Sequence, residues 1–235
     1  MKYRFYAPDK SDKRIVFAAQ KLIEMGYEES VNADFMLYGI NPELKTECRI
    51  PCFAGNVSGK NIYDYTKDET FAIENAYLTA EAALSLAISE SSGSLIRSNV
   101  LIVGYGRIGK ALHRYLTPFT KSITVCARSD EARMLAKMSG ADTVDFSALS
   151  RCDVYDYIFN TVPHPVFNEK ELKSVKTDCH LMDLASFPGG VDRHFSTYLG
   201  VKLMIARGLP AKFSPKSAGE VVSKTVDKMI REVIV

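Results

Sequence analysis

Charge of one sign is what this chain lacks most plainly. Thirty Lys and Arg stand against 28 Asp and Glu, a formal net charge of +2 over 235 residues. A surface so balanced carries no electrostatic footprint for nucleic acid or for an anionic membrane. Long apolar runs are missing too, so no segment is expected to span a bilayer. The opening residues, Met1-Lys-Tyr-Arg-Phe-Tyr6, lack the apolar core of a secretory signal. Cysteine is sparse, odd in number and scattered, at 48, 52, 126, 152 and 179. Cys48 and Cys52 have three residues between them and no second Cys or His pair nearby, so neither a zinc site nor any other metal is expected. Reduced thiols in a cytoplasmic protein are the expectation. There are no internal repeats and no low-complexity tails. What remains, 46% apolar and 25% charged residues, is the composition of a globular protein with a real core.

The stretch Ser98-Asn-Val-Leu-Ile-Val-Gly-Tyr-Gly-Arg-Ile-Gly-Lys-Ala-Leu112 organises the rest. Val100 to Val103 reads as a buried parallel strand, and Lys110 to Leu116 has helical spacing. Between them lies G-x-G-x-x-G, formed by Gly104, Tyr105, Gly106, Arg107, Ile108 and Gly109. In a strand-turn-helix setting this pattern is a dinucleotide fingerprint. Gly104 makes the tight turn, Gly106 lets the backbone approach a pyrophosphate, and Gly109 lets the helix pack close to the strand. The first helical amides then point at the phosphates, aided by the helix dipole.

Before this stretch, Tyr3–Ala7 reads as a strand. A helix over about 12–25 follows, with Ile15, Ala18, Ala19, Leu22 and Ile23 on one face and Gly26 as its cap. Further strands are expected at 34–40, 50–54 and 61–65. Residues 67–91 turn helical, but polar groups between Glu74 and Glu81 interrupt the apolar face, which predicts a helix in two parts with a kinked or looped middle. Ser91-Ser-Gly-Ser94 marks a junction. After Leu116, short strands alternate with helices, the pattern of right-handed βαβ units. The strands fall at 122–126, 142–146, 157–161, 180–184 and 202–205, and a long amphipathic helix covers 217–233. The expected fold is α/β, a doubly wound parallel sheet of the Rossmann, NAD(P)-binding kind with a smaller N-terminal α/β domain. Its parts are residues 1–92 with the interdomain helix, 93–215 for the dinucleotide domain, and 216–235 for a helix packing back towards the first.

In this fold, the end of the second strand reads the adenosine ribose. A carboxylate there selects NAD, and an Arg accommodates the 2′-phosphate of NADP. Here the segment is Val125-Cys-Ala-Arg-Ser129, with no carboxylate before Asp130. Arg128 can fork onto a phosphate, Ser129 adds a hydroxyl, Arg133 lies one helical turn on, and Ala127 leads into the turn. NADP is therefore expected, with NAD the alternative if Arg128 merely stacks on adenine. The other strand ends supply small, backbone-exposing residues: Asn160-Thr161-Val162-Pro163, then Asp183-Leu184-Ala185-Ser186 with Phe187-Pro-Gly-Gly190, then Arg207-Gly-Leu-Pro210. His164, between two prolines, invites a general acid–base role, against the plainer reading of an exposed imidazole.

Taken together, these strand ends resemble one family, the A-type subunits of dipicolinate synthase from spore-forming bacteria. The resemblance rests on Val100–Gly109, Val125–Ser129, Asn160–Pro163, Asp183–Ser186 with Pro188–Gly190, and Gly208–Pro210 leading to Ala218-Gly219. Asn75-Ala-Tyr-Leu-Thr-Ala-Glu81 looks like the family's linker before the nucleotide domain. The likeness covers about residue 70 onwards, with an N-terminal domain shorter than the family's. It implies an NAD(P)-dependent oxidoreductase subunit that oxidises a dihydrodipicolinate-type precursor to dipicolinate during sporulation. The implied partner is a flavoprotein-like B-type subunit, and the implied cofactor is NADP or NAD. A dicarboxylate needs cations, and Arg207 with Lys216 and Ser217 nearby are candidates to hold one, the alternative being a solvated basic loop. Asn75, Thr79 and Glu81 are candidates for substrate contact, although Glu81 could simply cap a helix. A homo-oligomer, such as a dimer, is expected from the apolar faces of the long helices. Two other readings stay open: a related dehydrogenase acting on a different small carboxylate, and a non-catalytic NADP-binding partner or redox sensor.

Overall fold

A computed structural model of the chain describes residues 3–44, 47–91 and 93–233. Ser92, within the expected junction, and residues 234 and 235 of the expected C-terminal segment lie outside them. In chain order the elements begin with β1 (Arg4–Tyr6), α1 (Lys13–Glu24), β2 (Glu28–Glu29), β3 (Phe35–Ile40), β4 (Glu47–Gly55), β5 (Lys60–Asp64) and α2 (Glu69–Ser89). There follow β6 (Asn99–Val103), α3 (Arg107–Leu116), β7 (Ser122–Cys126), α4 (Asp130–Met138), β8 (Asp142–Val144), β9 (Tyr157–Asn160) and α5 (Glu169–Leu172). The last are β10 (His180–Asp183), α6 (Arg193–Tyr198), β11 (Lys202–Ile205), α7 (Leu209–Phe213) and α8 (Pro215–Val233). They form two compact units, Met1–Leu78 with Pro210–Val235, and Thr79–Leu209.

The first unit is built on a parallel sheet in the order β2-β1-β3-β4-β5. Asp12 caps α1 by accepting from the Arg14 amide at 3.0 Å and also pairs with the Arg14 guanidinium at 2.7 Å. Ile15, Ala18, Ala19 and Leu22 are buried as their spacing predicts, whereas Ile23 is 49% exposed, just past the edge of that stripe. Gly26 ends the helix at φ +91°, the left-handed cap position that a side chain resists. α8 packs along α1, and Gly219 allows the approach: a Cβ there would lie 2.5 Å from the Arg14 carbonyl. Tyr27 donates to Asp227 on α8 at 2.7 Å. Phe5, Phe35, Phe53, Leu37, Val222 and Ile230 are among the side chains of this core.

α2 is one unbroken helix, not the two-part helix expected from its polar middle. Asp68 caps it by accepting from the Phe71 amide at 3.0 Å. Its buried residues beyond Phe71 are Ala76, Thr79, Ala80, Ala82, Ala83 and Ala87. Alanine is the strongest helix former and makes a small buried face, and with no Pro or Gly in the run nothing breaks the hydrogen-bond ladder. An apolar pattern among larger side chains is the wrong signal for such a helix.

The second unit carries six parallel strands in the order β11-β10-β9-β6-β7-β8. Counted from β6 as the first, this is 6-5-4-1-2-3, the doubly wound order whose direction reverses between β6 and β9. Ligands of such sheets sit at the carboxyl ends of the strands around that reversal. Leu101, Val103, Ile158, Phe167 and Leu181 belong to its core.

Candidate functional site: the carboxyl edge of the second sheet

β6 runs into the glycine turn with its amides and carbonyls already paired to its neighbours. The Gly104 amide donates to Cys126 O at 2.8 Å, and Thr161 donates to Val103 O through its amide at 2.8 Å and its hydroxyl at 2.9 Å. Gly104 has φ +93°, and a Cβ there would collide with the Thr161 hydroxyl. At Gly109 a Cβ would collide with the Gly104 carbonyl, so this glycine lets α3 turn back against the loop. Gly106 is different: nothing lies within 4 Å of the position a Cβ would take. It is the N-cap of α3 and contributes no side-chain oxygen to the first helical amides. Open space in front of the first turn and the positive end of a ten-residue helix is an anion cradle that fits a pyrophosphate.

Tyr105, inside this turn, has its hydroxyl 2.9 Å from Nδ1 of His113 on α3. His113 is 4% exposed, and burial holds its pKa below the usual value. The pair fastens the tip of the loop to the helix behind it, a role unread in the sequence, since a lone His within an amphipathic helix carries no local motif. His113→Phe is expected to weaken dinucleotide binding by about threefold, the order of one lost hydrogen bond. Because the folded-state pKa is lowered, the unfolded chain takes up this proton first as pH falls below 6.5. The stability due to neutral His113 is therefore complete above that pH and declines below it. Wild type should lose more melting temperature between pH 7.5 and pH 5.5 than His113→Phe does, as scanning calorimetry would show; equal losses would remove this role.

At the end of β7, Ala127 is buried, Arg128 is exposed, and Ser129 caps α4 by accepting from the Ala132 amide at 3.2 Å. Arg133 turns back on this corner. Its Nη1 donates to Ala127 O at 2.6 Å and to Arg128 O at 2.9 Å, and its Nη2 pairs with Asp130. Arg133 therefore braces the corner, and Arg128 is the guanidinium left facing outward.

β9 and β10 end in a buried polar junction. Asn160 is fully buried and Asp183 is 1% exposed. Asp183 Oδ1 accepts from Asn160 Nδ2 at 2.8 Å and from the Ala185 amide at 3.3 Å, and Oδ2 accepts from the Gly190 amide at 3.1 Å. Asn160 also donates to Val162 O and accepts from the Val162 amide, both at 3.1 Å. Gly189 and Gly190 are required here: a Cβ on the first would strike Asp183 and Arg207, and on the second Asn160 and the Val162 carbonyl. Asp183 is thus the hub of the site, a function hidden in the sequence although the Gly-Gly pair signals close backbone approach. Leu184 and Ala185 are buried, while Thr161 and Val162 are half-buried and Pro163, His164 and Ser186 exposed at the rim. His164 has no hydrogen-bond or ion-pair partner among the described residues.

Arg207, after β11, is committed to the same loop. Nε donates to Ala185 O at 3.0 Å and Nη2 to Pro188 O at 2.8 Å, with Nη2 4.0 Å from Asp183 Oδ2. These bonds commit the Nε and Nη2 edge of the guanidinium to the loop and use two of its five N–H donors. Lys216 and Ser217 are exposed in the first turn of α8, which belongs to the other unit. Asn75 and Thr79, four residues apart, share one face of α2, Asn75 half-buried and Thr79 buried; Glu81 is exposed and lies off that face. Among the described residues no group of three or more His, Cys, Asp or Glu is placed to hold a metal, and no helix is long and apolar enough to cross a membrane.

Comparison with known proteins agrees with this geometry. Residues 77–186 match the family described as D-isomer specific 2-hydroxyacid dehydrogenase, NAD binding domain. The A-type subunit of dipicolinate synthase from Bacillus subtilis is 29% identical over 183 residues, which is 77% of this chain and 61% of that protein's length. The crystal structure of the corresponding dipicolinate synthase protein from Bacillus halodurans superposes with a TM-score of 0.87 at 20% identity, over 97% of each chain. A transhydrogenase from Sinorhizobium meliloti has a TM-score of 0.77 at 13% identity, over 98% of this chain and 94% of that one. The second unit is a nicotinamide-dinucleotide-binding domain of the Rossmann type, and in sequence and fold the chain is a relative of the A-type dipicolinate synthase proteins, as its strand ends implied.

Proposed function

We propose that this chain is an NADP-dependent oxidoreductase subunit that oxidises a dihydrodipicolinate-type precursor to dipicolinate in the cytoplasm of a sporulating cell. It does so as a homo-oligomer, working with a B-type flavoprotein-like partner. The observation that carries this reading is the 29% identity to the A-type dipicolinate synthase protein over 183 residues. The oxidation removes a hydride and a proton from the dihydropyridine ring, and the bound nicotinamide supplies the hydride acceptor. Since the product is aromatic, binding and orientation can supply much of the rate.

The residues divide the work as follows. The first amides of α3, with Gly104, Tyr105, Gly106, Arg107, Ile108 and Gly109, hold the pyrophosphate. Arg128 and Ser129 receive the ribose phosphate on a corner formed by Ala127 and braced by Arg133. Thr161, Val162 and Pro163, and Leu184, Ala185 and Ser186, border the nicotinamide, with Asn160 keeping their loops apart at a set distance. Asn75 and Thr79 on one face of α2, with Lys216 and Ser217 at the start of α8, are the candidates for substrate contact, and Glu81 is the weakest of them.

Arg128→Ala should weaken NADPH binding about tenfold while leaving NADH binding unchanged, since a charge-assisted contact is worth about 1.5–3 kcal/mol buried and less on a surface. Equal losses for both cofactors would remove the phosphate-pocket assignment. The function is tested by incubating the chain with the dihydrodipicolinate precursor and NADP, alone and with the B-type partner, and following reduced-cofactor absorbance. Growth of that absorbance with formation of dipicolinate supports the reading. Cofactor binding without turnover in both mixtures would instead favour a nucleotide-binding partner or redox sensor. Among the described residues no carboxylate is hydrogen-bonded or ion-paired to His164, whereas a 2-hydroxy acid dehydrogenase reading would require such an acid–base pair.

A further inference from the structure

Phe187 is 85% exposed, on the loop that leaves the carboxyl end of β10. An isolated surface phenylalanine on a loose loop would need no explanation. This loop is held at several points, however. The Gly190 amide is fixed on Asp183 at 3.1 Å, the Gly189 amide on Ser186 O at 2.8 Å, and Gly190 O accepts from the amides of Val166 and Phe167 at 3.0 Å. Arg207 adds its bonds to Ala185 O and Pro188 O, on either side of Phe187 in sequence. The ring is thus presented by a fixed backbone, at the strand edge where ligands of this fold bind.

Arg207 lies beneath this ring, its Cζ 5.9 Å from the centroid. Its side chain is 27% exposed, and Nη1 has no hydrogen-bond partner among the described residues. Asp183 offsets only part of its charge, being 4.0 Å away and already accepting three N–H bonds. An open aromatic face beside a cation with an unused donor suits one class of ligand. A flat ring can stack on Phe187, offset as aromatic pairs prefer, while a carboxylate on that ring receives Nη1.

We propose that Phe187 and Arg207 form a recognition element for a planar ring bearing a carboxylate, with Phe187 setting the preference for flat over puckered rings. The proposal rests on the functional reading above, which names a pyridine dicarboxylate as product, and deepens it by assigning the ring contact. In this assignment Phe187 serves the substrate, and the dinucleotide phosphates belong to the turn at Gly104–Gly109, which follows β6.

The test is calorimetric titration of the NADPH-loaded chain with pyridine-2,6-dicarboxylate and with its saturated counterpart, piperidine-2,6-dicarboxylate. Wild type should bind the flat ring more tightly than the saturated one. Phe187→Ala should weaken the flat ring about tenfold and the saturated ring by less than about twofold, with Phe187→Tyr close to wild type. The dissociation constant for NADPH should not move in either variant, and since Phe187 is exposed the melting temperature should hold. Arg207→Lys, which keeps the charge but not the loop bonds, should weaken both diacids. Equal affinity of wild type and Phe187→Ala for the flat ring would overturn the proposal, as would a wild type that binds neither diacid or does not discriminate between them. A loss confined to NADPH affinity would place Phe187 on the cofactor and overturn it too. Turnover of the dihydropyridine decides the reaction separately. Turnover with ring affinity indifferent to Phe187 sinks only this proposal; ring binding dependent on Phe187 without turnover sinks only the reaction.

Discussion

Replacing Gly106 with alanine should leave the melting temperature within about one degree of wild type and weaken NADPH binding about tenfold or more, whereas Gly109→Ala should lower both. The contrast follows from what surrounds each glycine. Around Gly106 nothing lies within 4 Å of a new Cβ, and its φ of −78° suits any residue. The alanine methyl would stand only in the space that a pyrophosphate must enter. At Gly109 the methyl would run into the Gly104 carbonyl, part of the backbone and unable to swing aside. Overpacking of this kind costs about 1–3 kcal/mol, and a chain of this size loses roughly 2–4 °C per kcal/mol. Thermal melts with and without NADPH would separate the two effects. Matching losses of stability in both variants would mean that Gly106 is a structural glycine and that the cradle is misassigned.

The second large effect is expected at Asp183. Alanine there removes the acceptor of the Ala185 and Gly190 amides, one of the two acceptors of Asn160 Nδ2, and the carboxylate nearest the Arg207 guanidinium. Removing one member of a buried charged network costs about 3–5 kcal/mol, because its partners lose compensation in a place water does not reach. Asp183→Asn should cost less, since its amide oxygen can still accept from one side. Urea unfolding of the isolated variants measures this. A loss below about 1 kcal/mol for Asp183→Ala, the level of an ordinary surface change, would show that the junction is not the anchor of these loops.

Local signals in the sequence carry the second unit well. β7 and β11 fall at their expected residues, and the other strands of that sheet differ by one or two at an end. Buried parallel strands are unbroken apolar runs with glycine and proline punctuation, and the cofactor turn has a fixed spacing, so neighbours in sequence suffice. Signals that depend on distant partners fare worse. Arg133 looks like a phosphate ligand because it sits one turn after Arg128, but its choice of the Ala127 and Arg128 carbonyls depends on how α4 leaves its cap. Arg207 is legible as a cation that could meet a carboxylate, but its bonds to residues 185 and 188, which only the adjacency of β10 and β11 brings near, are not. Glu81 goes with Asn75 and Thr79 by sequence proximity, and a continuous helix turns it away. The role of Asp183 as a hub has no sequence spacing at all, since it joins the ends of two strands and a Gly-Gly loop.

On the proposed reading, the turn at Gly104–Gly109 together with Arg128 gives the second unit a nicotinamide-dinucleotide site that prefers the 2′-phosphate. Titrating the chain with NADPH and with NADH, following the fluorescence of the reduced nicotinamide, bears on this without intermediaries. One saturable site is expected for each cofactor, with NADPH bound about tenfold more tightly. Failure of both cofactors to bind at millimolar concentration, or tighter binding of NADH, would contradict it.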